Sequence, residues 1–353
     1  LVQEARELIQ DDAVAAGFLD DEEPLVTGGN DALAYAEAVS TYLAIVVSRL
    51  ANRGSMISFW DTARENIQQA FGRQALPMTW DFCESNPFSN SSGNWLLQVA
   101  FPTKFVELLL SQIAGHGIQK DAQRQVLSID KLISADPPYY DNICYADLSD
   151  FFYVWLRHSL KEVFPDLFST LEVPKVDELV ATRYRHESPG KAEEFFLNGM
   201  IKAMRQLAGK THPAFPVTIY YAFRQSETTD QEGTASTGWE TFLEAVIHAG
   251  FSLTGTWPIR TEYTGNLKKN VSALASSIVL VCRPRAEDAP VASRREFVGA
   301  LKTELPQALH HLQRCNIAPV DLAQAAIGPG MAVFTRYAKV IDAEGSLVSV
   351  REA

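Results

Sequence analysis

The sequence predicts an α/β fold, and three observations predict it. Runs rich in β-branched and aromatic residues fall at 131–135, 216–223, 251–259 and 275–283. Segments with helical spacing of apolar residues lie between the first three of these runs, at 148–164, 192–208 and 237–249. The chain has 353 residues, 46% of them apolar, which is enough to bury one large core or two smaller ones.

The elements follow in chain order. Residues 1–30 hold eight acids and one arginine, a net charge of −7. The total is −12, so −5 remains for the other 323 residues, and the opening stretch reads as a solvated helix and loop. Residues 31–52 read as one long helix capped by Asn30 or Asp31 and ended near Gly54. A second helix is expected over 57–71. Met78 to Trp95 mixes Trp, Phe, Asn, Ser and Pro without periodicity, as an ordered loop does. Residues 101–114 look helical, and a short strand follows at 131–135.

In the helix 148–164, Asp147 stands at the cap and Asp150 at the third position. Apolar residues at 148, 151, 152, 155, 156, 160, 163 and 164 form one face. Phe151, Phe152 and Trp155 are accordingly expected in the core. A polar stretch at 172–190 reads as a mobile or DNA-contacting loop. The tail is helical over 294–315 and 319–327, with Gly328-Pro329-Gly330 read as a stop. The domain boundaries expected are a helical and loop region over 1–125, a central α/β part over 126–290, and a C-terminal helical region over 291–353.

The short strand at 131–135 runs into Asp136-Pro137-Pro138-Tyr139. An aromatic amino group is a poor nucleophile because its lone pair is delocalised into the ring. A carboxylate only accepts hydrogen bonds, so Asp136 suits one N–H of such a group. The carbonyl of Pro137 suits the other, and two prolines fix φ so that this carbonyl points one way. Tyr139 offers a face for an extruded base. A Pro-Pro pair after a strand also serves as a plain stop and rigid turn.

This loop resembles the catalytic loop of amino-methyltransferases that use S-adenosylmethionine (SAM). The run DPPYYDNICYADLSDFFYVWLR (136–157) is similar to a signature of a large family of prokaryotic adenine-specific DNA methylases, some of them associated with phage-defence gene clusters. The segments at 71–88, 217–227, 250–262 and 273–285 resemble that family too, so the likeness spans most of the chain.

The resemblance implies SAM-dependent transfer of a methyl group to N6 of adenine in DNA, with Asp136, Pro137, Pro138 and Tyr139 as the amino-group clamp. It also implies the second half of a Rossmann-like methyltransferase sheet, with helical N- and C-terminal additions and its last two strands antiparallel. Tyr140, Asp141, Asn142, Tyr145 and Asp147 are candidates for substrate contact. Trp80 and the Asn86-Pro87-Phe88 element, together with Asp136, are candidates for SAM. Arg260 and Glu262 could face the same crevice.

A glycine-rich turn between a strand and a helix, which SAM binding requires, is not legible. Gly28-Gly29, Gly115-His116-Gly117 and Gly328-Pro329-Gly330 lack that context. The reading is therefore of the C-terminal portion of a longer protein, with an upstream segment or a partner chain supplying the loop. Other readings stay open: a non-catalytic DNA-recognition or interaction module of a defence complex, or an amino-methyltransferase acting on cytosine N4, RNA or a protein glutamine.

The acidic balance excludes a strongly basic DNA-binding module, but local cations remain at Arg183/Arg185/His186, Lys268/Lys269 and Arg283/Arg285 with Arg294/Arg295. The four cysteines lack Cys-x-x-Cys spacing, so neither a zinc site nor a disulfide framework is expected. No run of eighteen apolar residues occurs, so a cytoplasmic chain with no membrane partner is expected.

Overall fold

A computed structural model describes the chain except for residues 73–74, 77, 110–114, 141–142, 222–236, 260–276, 315–318, 351 and 353; only the backbone is described at 237–239, 258, 277 and 319–325. The described residues form a mixed α/β protein with a mixed sheet. They divide into two compact units, Leu1–Gln119 with Cys144–Glu178, and Lys120–Ile143 with Leu179–Ala353.

The first unit is helical. Helix α1 (Val2–Ala15) packs on α2 (Ala32–Ala51), which also packs on α3 (Trp95–Leu108) and α4 (Tyr145–Leu160). By length and composition α2 is apolar enough to cross a bilayer, yet it buries Glu37, Ser40 and Ser48. The Glu37 carboxylate accepts the Leu25 amide at 2.7 Å. A small core gathers Ala44, Tyr153, Leu160, Val163 and Phe168.

Three local expectations fail here for identifiable reasons. Residues 57–71 form no helix but a short hairpin, β1 (Trp60–Asp61) and β2 (Asn66–Ile67). Asp61 Oδ1 accepts the amides of Ala63 and Arg64 at 2.9 and 3.2 Å, and Glu65 takes a positive φ of 49°. The side chain thus offers the backbone a turn in place of a helix. Helix α4 begins earlier than expected, with Cys144 at its cap position and Asp147 inside the first turn. The Ala146 amide is satisfied from a distance, by Glu178 Oε1 at 2.9 Å. Trp155 is 46% exposed and is not core, whereas Tyr153 is buried. Phe151 and Phe152 are half-buried and pack on Phe71 at 5.3 Å each.

The second unit holds a four-stranded sheet of β3 (Ser134–Ala135), β4 (Val217–Tyr221), β5 (Phe251–Ile259) and β6 (Ser277–Pro284), in the order β3-β4-β6-β5. Strand β3 is parallel to β4, while β6 is antiparallel to both β4 and β5. Three strands therefore share one direction and β6 alone is reversed. Helices α5 (Pro189–Ala208), α6 (Thr237–His248), α7 (Arg294–Arg314) and α8 (Pro319–Thr335) complete the unit. One core runs through it, with Phe196, Ile219, Tyr221, Phe242, Phe251, Leu280 and Phe334 among its buried members.

The C-terminal region is not purely helical: β7 (Val291–Ser293) and β8 (Lys339–Ile341) pair in parallel. Nor does Gly328-Pro329-Gly330 stop a helix, because α8 passes through it. An internal proline costs a helix about 3 kcal/mol. Burial of Met331, Val333 and Phe334 offsets that cost, each worth about 1.5–3 kcal/mol when fully buried. The Thr335 hydroxyl also accepts the Leu253 amide at 2.8 Å.

Candidate functional site

Parallel pairing positions the Asp136 loop. Ser134 is level with Thr218 and Ala135 with Ile219. The chain therefore leaves the ladder at Asp136 and Pro137 just as β4 reaches Tyr220 and Tyr221, at the carboxyl ends of both strands. The alternation of β4 buries Val217, Ile219 and Tyr221 and leaves Thr218 and Tyr220 half-buried.

An aromatic stack underlies the loop. The Tyr139 ring lies 5.0 Å from that of Tyr221 at 60°, and Tyr221 stacks on Phe242 at 4.2 Å and 15°. Tyr140 meets Phe196 edge-on at 5.3 Å, and its carbonyl accepts the Ala181 amide at 2.8 Å. Such pairs are worth about 0.5–1.5 kcal/mol each beyond area burial. They hold both tyrosines from the core side. Tyr221 was not singled out from sequence, although its place on the buried face was readable from the alternation of Val217, Ile219 and Tyr221.

Asp136 is exposed. Its Oδ1 accepts the Tyr139 hydroxyl at 3.3 Å, a long bond, and among the described residues its carboxylate has no cation partner. An acceptor-only group thus faces solvent beside an aromatic ring, which suits it to take an N–H from a planar amine.

The other candidates are distributed as follows. Asp141, Asn142, Arg260 and Glu262 lie outside the described residues. Tyr145 and Asp147 are exposed at the start of α4 and belong to the first unit. Trp80, 87% exposed, and Phe88, 89% exposed, belong to that unit too. Asn86 Oδ1 accepts the Phe88 amide at 2.9 Å and the Pro87 carbonyl accepts the Trp95 amide at 2.8 Å. Asn86-Pro87-Phe88 is thus a side-chain-locked turn leading into α3, whose cap is Asn94.

Among the described residues the glycines form no cradle at a strand end. Gly28 ends a short 3-10 turn at φ 101°, Gly115 and Gly117 lie outside any helix or strand, and Gly328 and Gly330 are inside α8. The described residues therefore do not fit SAM by themselves. No group of three metal-ligating side chains occurs among them either.

Of the basic clusters, Lys268/Lys269 lies outside the described residues. Arg285 is structural: its guanidinium donates to the carbonyls of Tyr337 and Ile247 at 2.9 and 2.8 Å, and burial lowers its pKa. Arg183 and its neighbours stay at the surface beside the segment that holds Tyr140.

Compared with protein-family models, with curated proteins and with solved structures, the chain matches none.

Proposed function

We propose that this chain carries the base-binding clamp of a SAM-dependent methyltransferase acting on N6 of adenine in DNA. Asp136 carries the reading: an exposed carboxylate without a cation partner among the described residues, at the carboxyl end of a parallel strand, followed by two prolines and a buttressed tyrosine. A turn that merely ended a strand would place no demand on an acceptor there. The sheet direction supports the same reading, since only the last strand is reversed, as expected of the second half of a methyltransferase sheet.

The clamp works through hydrogen bonds and stacking. The target base is extruded and its face rests on Tyr139. Asp136 accepts one N6–H and the Pro137 carbonyl the other, which draws the nitrogen toward a tetrahedral shape and localises its lone pair. The surplus proton leaves to water, so no general base of matched pKa is required.

SAM, when bound, supplies the methyl group. We propose that its glycine-rich loop comes from an upstream segment or a partner chain that extends the sheet at β3. Strand β3 has no second neighbour among the described strands, and Val126, Leu127, Ile129 and Leu132 are exposed beside it. The lack of a glycine cradle among the described residues favours a second reading, a non-catalytic recognition module of a larger complex. Cytoplasmic residence and association with defence proteins belong to the same proposal.

Titration calorimetry of SAM into this chain, beside a version extended upstream, separates the two readings. Binding by the longer version alone supports the first, and binding by neither supports the second. In a labelled-methyl transfer assay on adenine-containing DNA, Asp136→Ala is expected to lose at least about a hundredfold, the scale of removing one preorganised polar contact. Tyr139→Ala should lose more than Tyr139→Phe, because the hydroxyl bond is long and the ring does the stacking. Undiminished turnover by Asp136→Ala would remove that residue from its role, and equal losses at Tyr139 would sink the stacking argument.

A further inference from the structure

Leu179, Val180, Ala181 and Thr182 are buried, and the Ala181 amide holds the Tyr140 carbonyl. Directly after this anchor the chain turns outward, with the Arg185 amide donating to the Thr182 carbonyl at 3.2 Å. Arg183 and Tyr184 emerge there together. Tyr184 is 85% exposed, and the Arg183 guanidinium lies 5.2 Å from its ring centroid and donates to its hydroxyl at 3.3 Å. Among the described residues Arg183 has no carboxylate partner.

The next residues are held firmly. His186 stacks on Phe195 at 4.3 Å and 29°, and Glu187 pairs with Lys191. Glu187 also sits at φ 40°, a region that a residue with a side chain adopts only when its surroundings impose it. The exposed pair thus stands on a turn whose following residues contact α5.

An aromatic ring in water beside a cation that has no acidic partner is a poor design for a solvated face. It suits a ligand that brings both a flat ring and a negative charge. Unstacked nucleotides do so: the base stacks on tyrosine or on a guanidinium plane, and the phosphate meets the cation. Three residues span at most about 10 Å, so Tyr184 lies within that reach of Ala181, whose amide is bonded to the Tyr140 carbonyl.

We propose that Arg183 and Tyr184 form a nucleotide platform beside the clamp, which receives an unstacked nucleotide flanking the base at Asp136. The identity of that neighbouring base rests on the methyl-transfer reading, whereas the platform rests on its own geometry.

Fluorescence anisotropy of a labelled single-stranded adenine-containing DNA oligonucleotide, titrated with this chain over a range of salt, tests it. Tyr184→Ala is expected to weaken binding about 5- to 100-fold and Tyr184→Phe to leave it near wild type. Arg183→Ala should lower the slope of log K against log salt by about 0.7, the loss of one phosphate contact on a single strand. Both side chains are at the surface, so an unchanged melting temperature verifies that each variant folds. If wild type binds and the variants bind equally tightly with the same slope, the platform is overturned while the clamp stands. If wild type binds neither single-stranded nor duplex DNA, the platform fails together with the DNA substrate. Weakened binding at Arg183 and Tyr184 alongside full methyl transfer by Asp136→Ala would keep the platform and sink the clamp.

Discussion

Gly328 and Gly330 flank one proline in the same helix, and alanine at the two positions should change stability in opposite directions. A Cβ on Gly328 would stand 1.8 Å from Thr256 Oγ1, 2.3 Å from its Cγ2 and 2.5 Å from its Cβ. Because the Cβ of Thr256 is itself in the way, rotating that side chain does not clear the clash, and α8 must move off β5. Overpacking of this kind costs about 1–3 kcal/mol and occasionally more, against a helix-propensity gain of about 1 kcal/mol. With three sub-van der Waals contacts the upper end applies, and a net loss of about 2 kcal/mol is expected. A Cβ on Gly330 meets only Leu301 Cδ1, at 3.9 Å, an ordinary contact. Gly330→Ala should therefore be neutral or gain up to about 1 kcal/mol. Urea unfolding followed by far-UV circular dichroism measures both, and a melting scan should fall by about 4–8 °C for Gly328→Ala alone. A destabilised Gly330→Ala with a tolerated Gly328→Ala would refute the reasoning, since that pattern belongs to a helix that ends at the glycines.

Two further outcomes are expected. Burial raises the Asp150 pKa, but the Lys175 ammonium at 2.8 Å and the Val173 amide at 2.9 Å outweigh it and hold the carboxyl below its ordinary value. Its stabilising contribution is therefore present above the unfolded pKa near 3.9 and is lost as pH falls through the lowered folded value. Asp150→Asn should cost about 1–2 kcal/mol at pH 7, and its gap to wild type should shrink in urea titrations at pH 3; a gap that does not depend on pH contradicts the assignment. Burial pushes the Cys282 thiol up to about 12. Thiol-reactive reagent at pH 8 should thus leave Cys282 unlabelled in the folded chain and label it in denaturant, which peptide mapping would read directly.

Much of the second unit was legible because its signals are local. The alternation in Val217–Tyr221 and the helical spacing of 192–208 each describe a short stretch whose buried face can be read without its partner. The order of strands and helices from β3 to β6 was readable on the same ground. The residue types of the Asp136 loop were legible, since an acceptor, two rigid residues and an aromatic ring stand side by side. The first unit was harder. Asp61 drew the amides of Ala63 and Arg64 into a turn where a helix was expected, and α4 took its cap from Glu178, more than thirty residues downstream.

What the sequence by itself determined is the run of strands and helices from β3 to β6 and the residue types of the Asp136 loop, because neighbours within a few positions decide both. Only tertiary structure decided what supports the Asp136 loop. Tyr221 and Phe242 under Tyr139, Phe196 and Ala181 at Tyr140, and the passage of α8 over Thr256 join residues far apart in the chain. Those contacts depend on which elements pack together, and no local pattern contains that information.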